Sequence, residues 1–204
     1  MLYFANPCGP DVAALMADQA LGFIDTPLQG NRRPDGVMWC ADNGCFSAKW
    51  DADRWWAWLV ANAGHAGSCR FAVAPDVVGD HEATMVRSSP WLPKIRALGY
   101  PAAFVLQDGA HDLPWDAFDV LFIGGSTAYK LSPEAAAFAA DAKAHGKWVH
   151  MGRVNSFRRI EYAAWIGCDS ADGTYLTFGP DTNLPKLTSW LHRLDTQRFL
   201  GEAS

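Results

Sequence analysis

Aspartates recur at one kind of place in this sequence. Asp42, Asp76, Asp108 and Asp172 each end a short apolar run: GVMWCAD (36–42), RFAVAPD (70–76), AAFVLQD (102–108) and IGCDSAD (166–172). Asp25 ends a fifth, weaker run. Several carboxylates around one mouth suit chemistry at a glycosidic carbon. One attacks or stabilises the oxocarbenium-like centre, and another manages protons or holds the leaving group. A carboxylate also accepts two N–H groups from a guanine-like edge, so it can read a base. Magnesium binding is the rival use of such acids, but the sequence lacks a G-x4-G-K-[ST] phosphate loop. The plain structural role of an isolated Asp is a helix cap or a turn. That role suits Asp80 and Asp51. It suits Asp172 poorly, because Asp172 lies within CDSADGT and not just before a helix.

The elements that must position these acids are legible as an alternation. Eight short apolar runs occupy 2–6, 21–25, 36–42, 70–76, 102–108, 120–125, 147–152 and 166–172. Short runs of this kind, bounded by turn residues, suit buried parallel strands. Helical patterns fill most gaps, at 10–20, 51–63, 80–98, 132–145, 156–166 and 184–200. The third opens on Asp80 and should break near Pro90 and Pro93. Ser132 and Pro133 open the fourth, and Asn155 is placed to cap the fifth. Only the stretches directly after strands two and six look too short or polar for a full helix. Alternating strands and helices mean a parallel sheet. Eight units favour a (β/α)8 barrel. A doubly wound open sheet is the runner-up, but no G-x-G-x-x-G follows the first strand. In both, the site lies at the C-terminal ends of the strands. Gln107, Gly124-Gly125 and Gly152-Arg153 sit there with the acids.

Composition sets the outer limits. The chain has 204 residues, 50% hydrophobic, 19% charged and 13% aromatic, which suits one domain over 1–204. The net charge of −5 argues against a protein that coats nucleic acid nonspecifically. No apolar run approaches the ~20 residues that span a bilayer. The start MLYFANPCGP has neither a basic n-region nor an apolar h-region, so no signal peptide is expected. The five cysteines are odd in number and form no C-x2-C pair. A disulfide scaffold or zinc ribbon is disfavoured, and a cytoplasmic location is expected. The six histidines form no H-x3-H or H-E-x-x-H pattern, so no metal site is expected.

Six segments then match one family in order. Asp42-Asn43-Gly44-Cys45-Phe46-Ser47 resembles the D-S-G-G-F-Q segment of tRNA-guanine transglycosylases. Phe71 to Asp76 (FAVAPD) resembles their strand ending in a base-reading Asp. Leu106-Gln107-Asp108-Gly109 resembles I-Q-Q-G, and Ile123-Gly124-Gly125 resembles their G-G loop. His150-Met151-Gly152 resembles the M-G-V-G strand. Gly167 to Asp172 resembles G-[IV]-D-M-F-D, whose last Asp is the family nucleophile. The resemblance implies a (β/α)8 barrel and base exchange through a covalent intermediate, with no cofactor. Asp172 would attack C1′ of a guanosine nucleotide, and a 7-deazaguanine would take the place of the released guanine. Asp42 would move the proton or handle the leaving group. Asp76 would read the N1/N2 edge, and Gln107, Asp108 and the Gly124-Gly125 backbone would contact the other edge. Phe46 would wall the pocket or pack inside.

The departures direct the expectation away from tRNA. The family's C-x-C-x2-C…H zinc subdomain has no counterpart after Asp172, where no cysteine occurs. Cys45 replaces a Gly, and Asp108 replaces a Gln. The compact form resembles the DNA 7-deazaguanine transglycosylases of phages and bacterial modification systems. The expected partners are therefore DNA, with its guanosine out of the stack, and a free deazaguanine; a homodimer is left open. A hydrolytic glycosylase on the same acids, a tRNA-guanine transglycosylase-like enzyme and a noncatalytic nucleobase-binding barrel are the alternatives. Arg153, Arg158 and Arg159 cluster after strand seven as candidate phosphate contacts, with Arg153 favoured. Arg32 and Arg33 lie in a loop after strand two. Trp55 and Trp58 share a helix face and read as packing. His150 reads as a core histidine, and Asp169 is a reserve nucleophile that points away from Asp172 in a regular strand.

Overall fold

The computed structural model describes residues 1–202, with side chains to 196. Eight parallel strands close into a barrel in chain order. They are β1 (Leu2–Ala5), β2 (Gly22–Asp25), β3 (Trp39–Ala41), β4 (Cys69–Val73), β5 (Ala102–Leu106), β6 (Val120–Ile123), β7 (Trp148–Met151) and β8 (Ser170–Asp172). Every expected run is a strand, including the weak second one, and closure of β1 on β8 excludes the open sheet.

The pleat separates two apolar clusters. Inside lie Phe4, Cys40, Phe71, Val73, Ala103, Val105 and Val120. Outside, the opposite strand faces meet the helices through residues such as Tyr3, Phe23, Trp39, Phe104, Leu121 and Ile160. Alternation is clearest at the closing strands. Val149, Met151 and Ala171 join the outer cluster, whereas His150, Ser170 and Asp172 project inward and hydrogen-bond to one another. The register pairs Phe122 with His150 and His150 with Ser170. Gly152, just after β7, has to be small: a Cβ there would stand 2.6 Å from the Phe122 ring.

The surrounding helices are α1 (Pro10–Ala17), α2 (Ala52–Ala61), α3 (His81–Ser88), α4 (Leu92–Ala97), α5 (Thr127–Lys130), α6 (Pro133–Ala144), α7 (Phe157–Trp165) and α8 (Pro180–Glu202). Asp51, Asp80 and Ser132 cap α2, α3 and α6 by accepting from Arg54, Ala83 and Ala135 N–H at 2.7, 2.9 and 3.2 Å. The expected break falls between α3 and α4, where Pro90 and Pro93 forbid a continuous ladder. On α2, Trp55 is buried and stacks edge-on to Trp91, while Trp58 meets Trp39, so these indoles pack the barrel's outside.

Two local expectations are corrected. Ser156, not Asn155, occupies the cap position of α7; the Asn155 amide donates instead to Thr174 across the gap to the loop after β8. The connection after β6 opens with the one-turn α5 and continues into α6, so it is not the short one. The connection after β5 is: it holds only a 3₁₀ turn, Trp115–Ala117, in a stretch broken by Gly109 and Pro114. No helix follows β2, as expected. The loop over 26–38 lies there instead, anchored by Arg33. Its guanidinium pairs with Asp25 at 2.9 Å and covers the Trp39 ring at 3.7 Å. Arg33 is therefore engaged on the outer wall. Among the described residues no helix is long and apolar enough to cross a membrane.

Candidate functional site

The C-terminal strand ends open on a pocket of about 110 Å³. Its lining includes Asp42, Asn43, Phe46, Asp76, Gln107, Gly124, Gly125, Arg153 and Asp172, with Ile24, Val73, Val78, Val105 and Phe122 as apolar wall. Residues from Ile24 to Asp172 thus meet because each sits near the C-terminal end of a strand or in the loop after it.

Asp172 ends β8 and is buried. His150 Nε2 lies 2.9 Å from Asp172 Oδ1, and His150 Nδ1 lies 2.8 Å from Ser170 Oγ. Ser170 Oγ in turn accepts from Trp148 Nε1 at 2.8 Å. Because a carboxylate accepts, Nε2 carries the proton and donates to Asp172. Nδ1 then accepts the Ser170 hydroxyl proton, and every group in the chain is satisfied. His150 is fully buried between the rings of Phe4, Phe71 and Phe122. It is a core histidine, as expected, and also the group that orients the nucleophile candidate. Asp172 Oδ2 keeps only a long bond from the Arg153 N–H, at 3.3 Å. Arg153 makes that contact from left-handed backbone, φ 58°.

Asp76, just past β4, is likewise buried. Asn43 Nδ2 donates to one oxygen at 2.8 Å and Gln107 Nε2 to the other at 2.6 Å. Both amides are themselves held: Asn43 Oδ1 accepts from Cys45 N–H, and Gln107 Oε1 accepts from Gly79 N–H. Burial raises the Asp76 pKa, and the two amides partly offset that rise. A carboxylate offers about four lone-pair sites, so two remain for further N–H donors.

Asp42 lies between these two acids electrostatically. Burial first, then the charges of Asp172 and Asp76, push its pKa up to about 7. Such a group exchanges protons readily near neutrality. Cys45 cannot act as a ready thiolate, because burial and the Asp76 charge push its pKa up to about 12.

Other expected residues fall elsewhere. Asp108 does not line the pocket. Its carboxylate accepts from Ser126 N–H at 2.7 Å and from the Ser126 hydroxyl at 2.6 Å, fixing the loop after β6. Burial pulls its pKa up, but the Ser126 bonds prevail and hold it low. Gln107 reaches the pocket with its polar atoms committed to Asp76 and Gly79. Phe46 is 72% exposed at the rim, with the Arg153 guanidinium 4.8 Å from its ring, so it is a wall and not a core residue. Arg153 borders the pocket and also donates to Gly125 O. Arg158 and Arg159 lie on α7 outside the lining, Arg158 exposed and Arg159 partly buried. Asp169 is committed to Lys143 and to Val149 N–H on the outer wall, which removes it as a nucleophile.

Two contributors were missed. Asn43 carries no charge and no periodic signal, and only its place after Asp42 could have marked it. Lys130 lies at the end of α5, buried, and donates to Gly152 O at 2.7 Å. Burial and the Arg153 charge lower its pKa to about 8, against the pull of Asp172.

The fold and site define a (β/α)8 barrel with an acid-lined mouth. No family sequence model matches the chain, and no curated protein does. Among solved structures, the Bacillus subtilis YkuI protein, with an EAL domain and in complex with c-di-GMP and calcium, aligns at TM-score 0.51 and 14% identity over 95% of this chain and 51% of that one. A Mesorhizobium loti protein assigned as a mandelate racemase aligns at TM-score 0.43 and 14% identity, over 85% and 50%. The chain spans about half the length of these structures. At this identity the likeness to YkuI concerns the barrel fold alone.

Proposed function

We propose that this pocket replaces guanine in DNA with a 7-deazaguanine through a covalent bond between Asp172 and C1′ of the nucleotide. The observation that carries the reading is the division of labour among three acids in one pocket. One has an oxygen held by His150 and the other with only the long Arg153 N–H bond, one is buried with amide donors on both oxygens, and one has a pKa near neutrality.

The steps balance. Asp172 Oδ2 bonds to C1′ as the C1′–N9 bond breaks. The electron pair goes to N9, and the proton of neutral Asp42 follows it, so guanine leaves uncharged. The incoming deazaguanine gives its N9 proton to the Asp42 carboxylate and attacks C1′. The C1′–Oδ2 bond then breaks and Asp172 is a carboxylate again. The two free lone-pair sites of ionised Asp76 accept N1–H and N2–H of each base. The target base has to leave the stack for C1′ to reach a carboxylate at the bottom of a pocket.

The test incubates the protein with single-stranded DNA, duplex DNA or tRNA plus a deazaguanine. A denaturing gel then looks for a covalent band, and mass spectrometry follows guanine release. A covalent band with DNA and incorporation of the deazaguanine support the proposal. An abasic product assigns the site to hydrolysis, and a band with tRNA alone moves the substrate to RNA. Unchanged exchange by Asp172→Asn would remove the nucleophile assignment.

A further inference from the structure

We infer that His81, Glu82 and His111 form a binding site for a divalent transition-metal ion of the zinc type. His81 and Glu82 begin α3, and His111 stands in the loop after β5. One ligand atom from each lies within 4.8 Å of the others. The sequence separates the two histidines by a whole strand, which is why no metal motif was visible there.

Each histidine has one ring nitrogen tied to a backbone carbonyl. His81 Nε2 lies 3.1 Å from Asp112 O, and His111 Nδ1 lies 3.3 Å from Gly109 O. A carbonyl only accepts, so these nitrogens carry the ring protons. The lone pairs are thereby fixed on His81 Nδ1 and His111 Nε2. His81 is only 3% exposed, and its Nδ1 is buried with no hydrogen-bond partner. His111 Nε2 faces Glu82 Oε1 at 3.5 Å. With both rings neutral, the three residues offer only acceptors to the space they share, and a cation is what such a set lacks. Anchoring of the second ring nitrogen by a carbonyl is also the usual outer support of a metal-bound histidine.

Two neutral imidazoles and one carboxylate favour zinc, nickel or copper over magnesium or calcium. Three protein ligands leave the fourth tetrahedral position to water. His81 is fixed by burial, His111 by its bond to Gly109 O, and the exposed Glu82 side chain has room to adjust onto an ion held between them. The ion would clasp the loops after β4 and β5 together. The same loops are joined by the His81 N–H bond to Asp108 O and the Gly79 N–H bond to Gln107. The site lies outside the acid-lined pocket, so its occupancy is separable from base exchange.

The test titrates chelator-stripped protein with Zn²⁺ against a chromophoric competitor, and with Co²⁺ for the absorption bands of a four-coordinate site. Stoichiometric binding is expected, weakened more than about tenfold by His111→Ala and by Glu82→Gln. Both side chains are exposed, so circular dichroism should show an intact fold. His192→Ala, which removes an exposed histidine from α8, should bind as the unaltered protein does. Absence of stoichiometric binding, or equal affinity in His111→Ala, would overturn the assignment.

Discussion

Asp42 is the residue whose chemistry depends most on its surroundings. Its folded pKa of about 7 lies above the ~3.9 of an unfolded aspartate. The stability it contributes is therefore complete below about pH 4 and is lost as pH rises through 7. Asp42→Asn is expected to raise Tm at pH 8 relative to the unaltered protein, with the difference closing towards pH 4, as thermal scans across pH would show. If Asp42 carries the proton in base exchange, the same variant slows exchange about 10²–10⁴-fold. Asn43 acts through Asp76. Asn43→Ala leaves Oδ1 of a buried carboxylate without its donor, which pushes the Asp76 pKa further up. The expected result is a KM for the deazaguanine raised about 10–100-fold, with the acid limb of the pH profile moved to higher pH. At this scale the acids were legible because an Asp at the end of an apolar run is conspicuous. Asn43 and Lys130 were not, since an amide and a helical lysine look ordinary until burial and partners are known.

Between elements, the link from Trp148 through Ser170 and His150 to Asp172 ties β7 to β8. It requires the observed register, in which His150 pairs with Ser170. Ser170→Ala removes the acceptor of the Trp148 indole and the donor to His150 Nδ1. Unfolding in urea should show a loss of about 1–3 kcal/mol. Base exchange should fall with little change in KM, because the histidine tautomer that orients Asp172 is no longer enforced. Strand existence was readable from apolar runs, and strand pairing followed from the barrel. The histidine's partner was not readable, because inward neighbours on adjacent strands are set by register and not by spacing. The cap of α7 was misplaced by one residue, a shift that spacing alone does not resolve: Asn155 lies just before the cap and its amide reaches Thr174, 19 residues away, at 3.4 Å.

For the molecule as a whole, net charge limits how DNA can be held. The candidate phosphate contacts are Arg153, Arg158 and Arg159, in a chain of net charge −5, while Arg87 is already held on the Asp76 carbonyl at 2.8 Å. Three phosphate contacts predict that log Kobs for single-stranded DNA falls with log salt no more steeply than about −2. A fluorescence titration across salt concentrations checks this, and a steeper slope would require cations beyond that cluster. The barrel itself was legible as eight repeats of one pattern, whereas the metal-ligand triad needed the closed fold to bring two distant loops together. The missing helix after β2 carries one more consequence. Arg33 and the buried Val37 hold a loop there in place of a helix, so the β2–β3 seam is where amide hydrogens should exchange with solvent first. Asp42 hangs from this seam, its N–H bonded to Asp25 O at 2.8 Å. Each opening admits water to the acid and loosens its hold on a proton, so the proton affinity of the mouth falls as the barrel wall breathes.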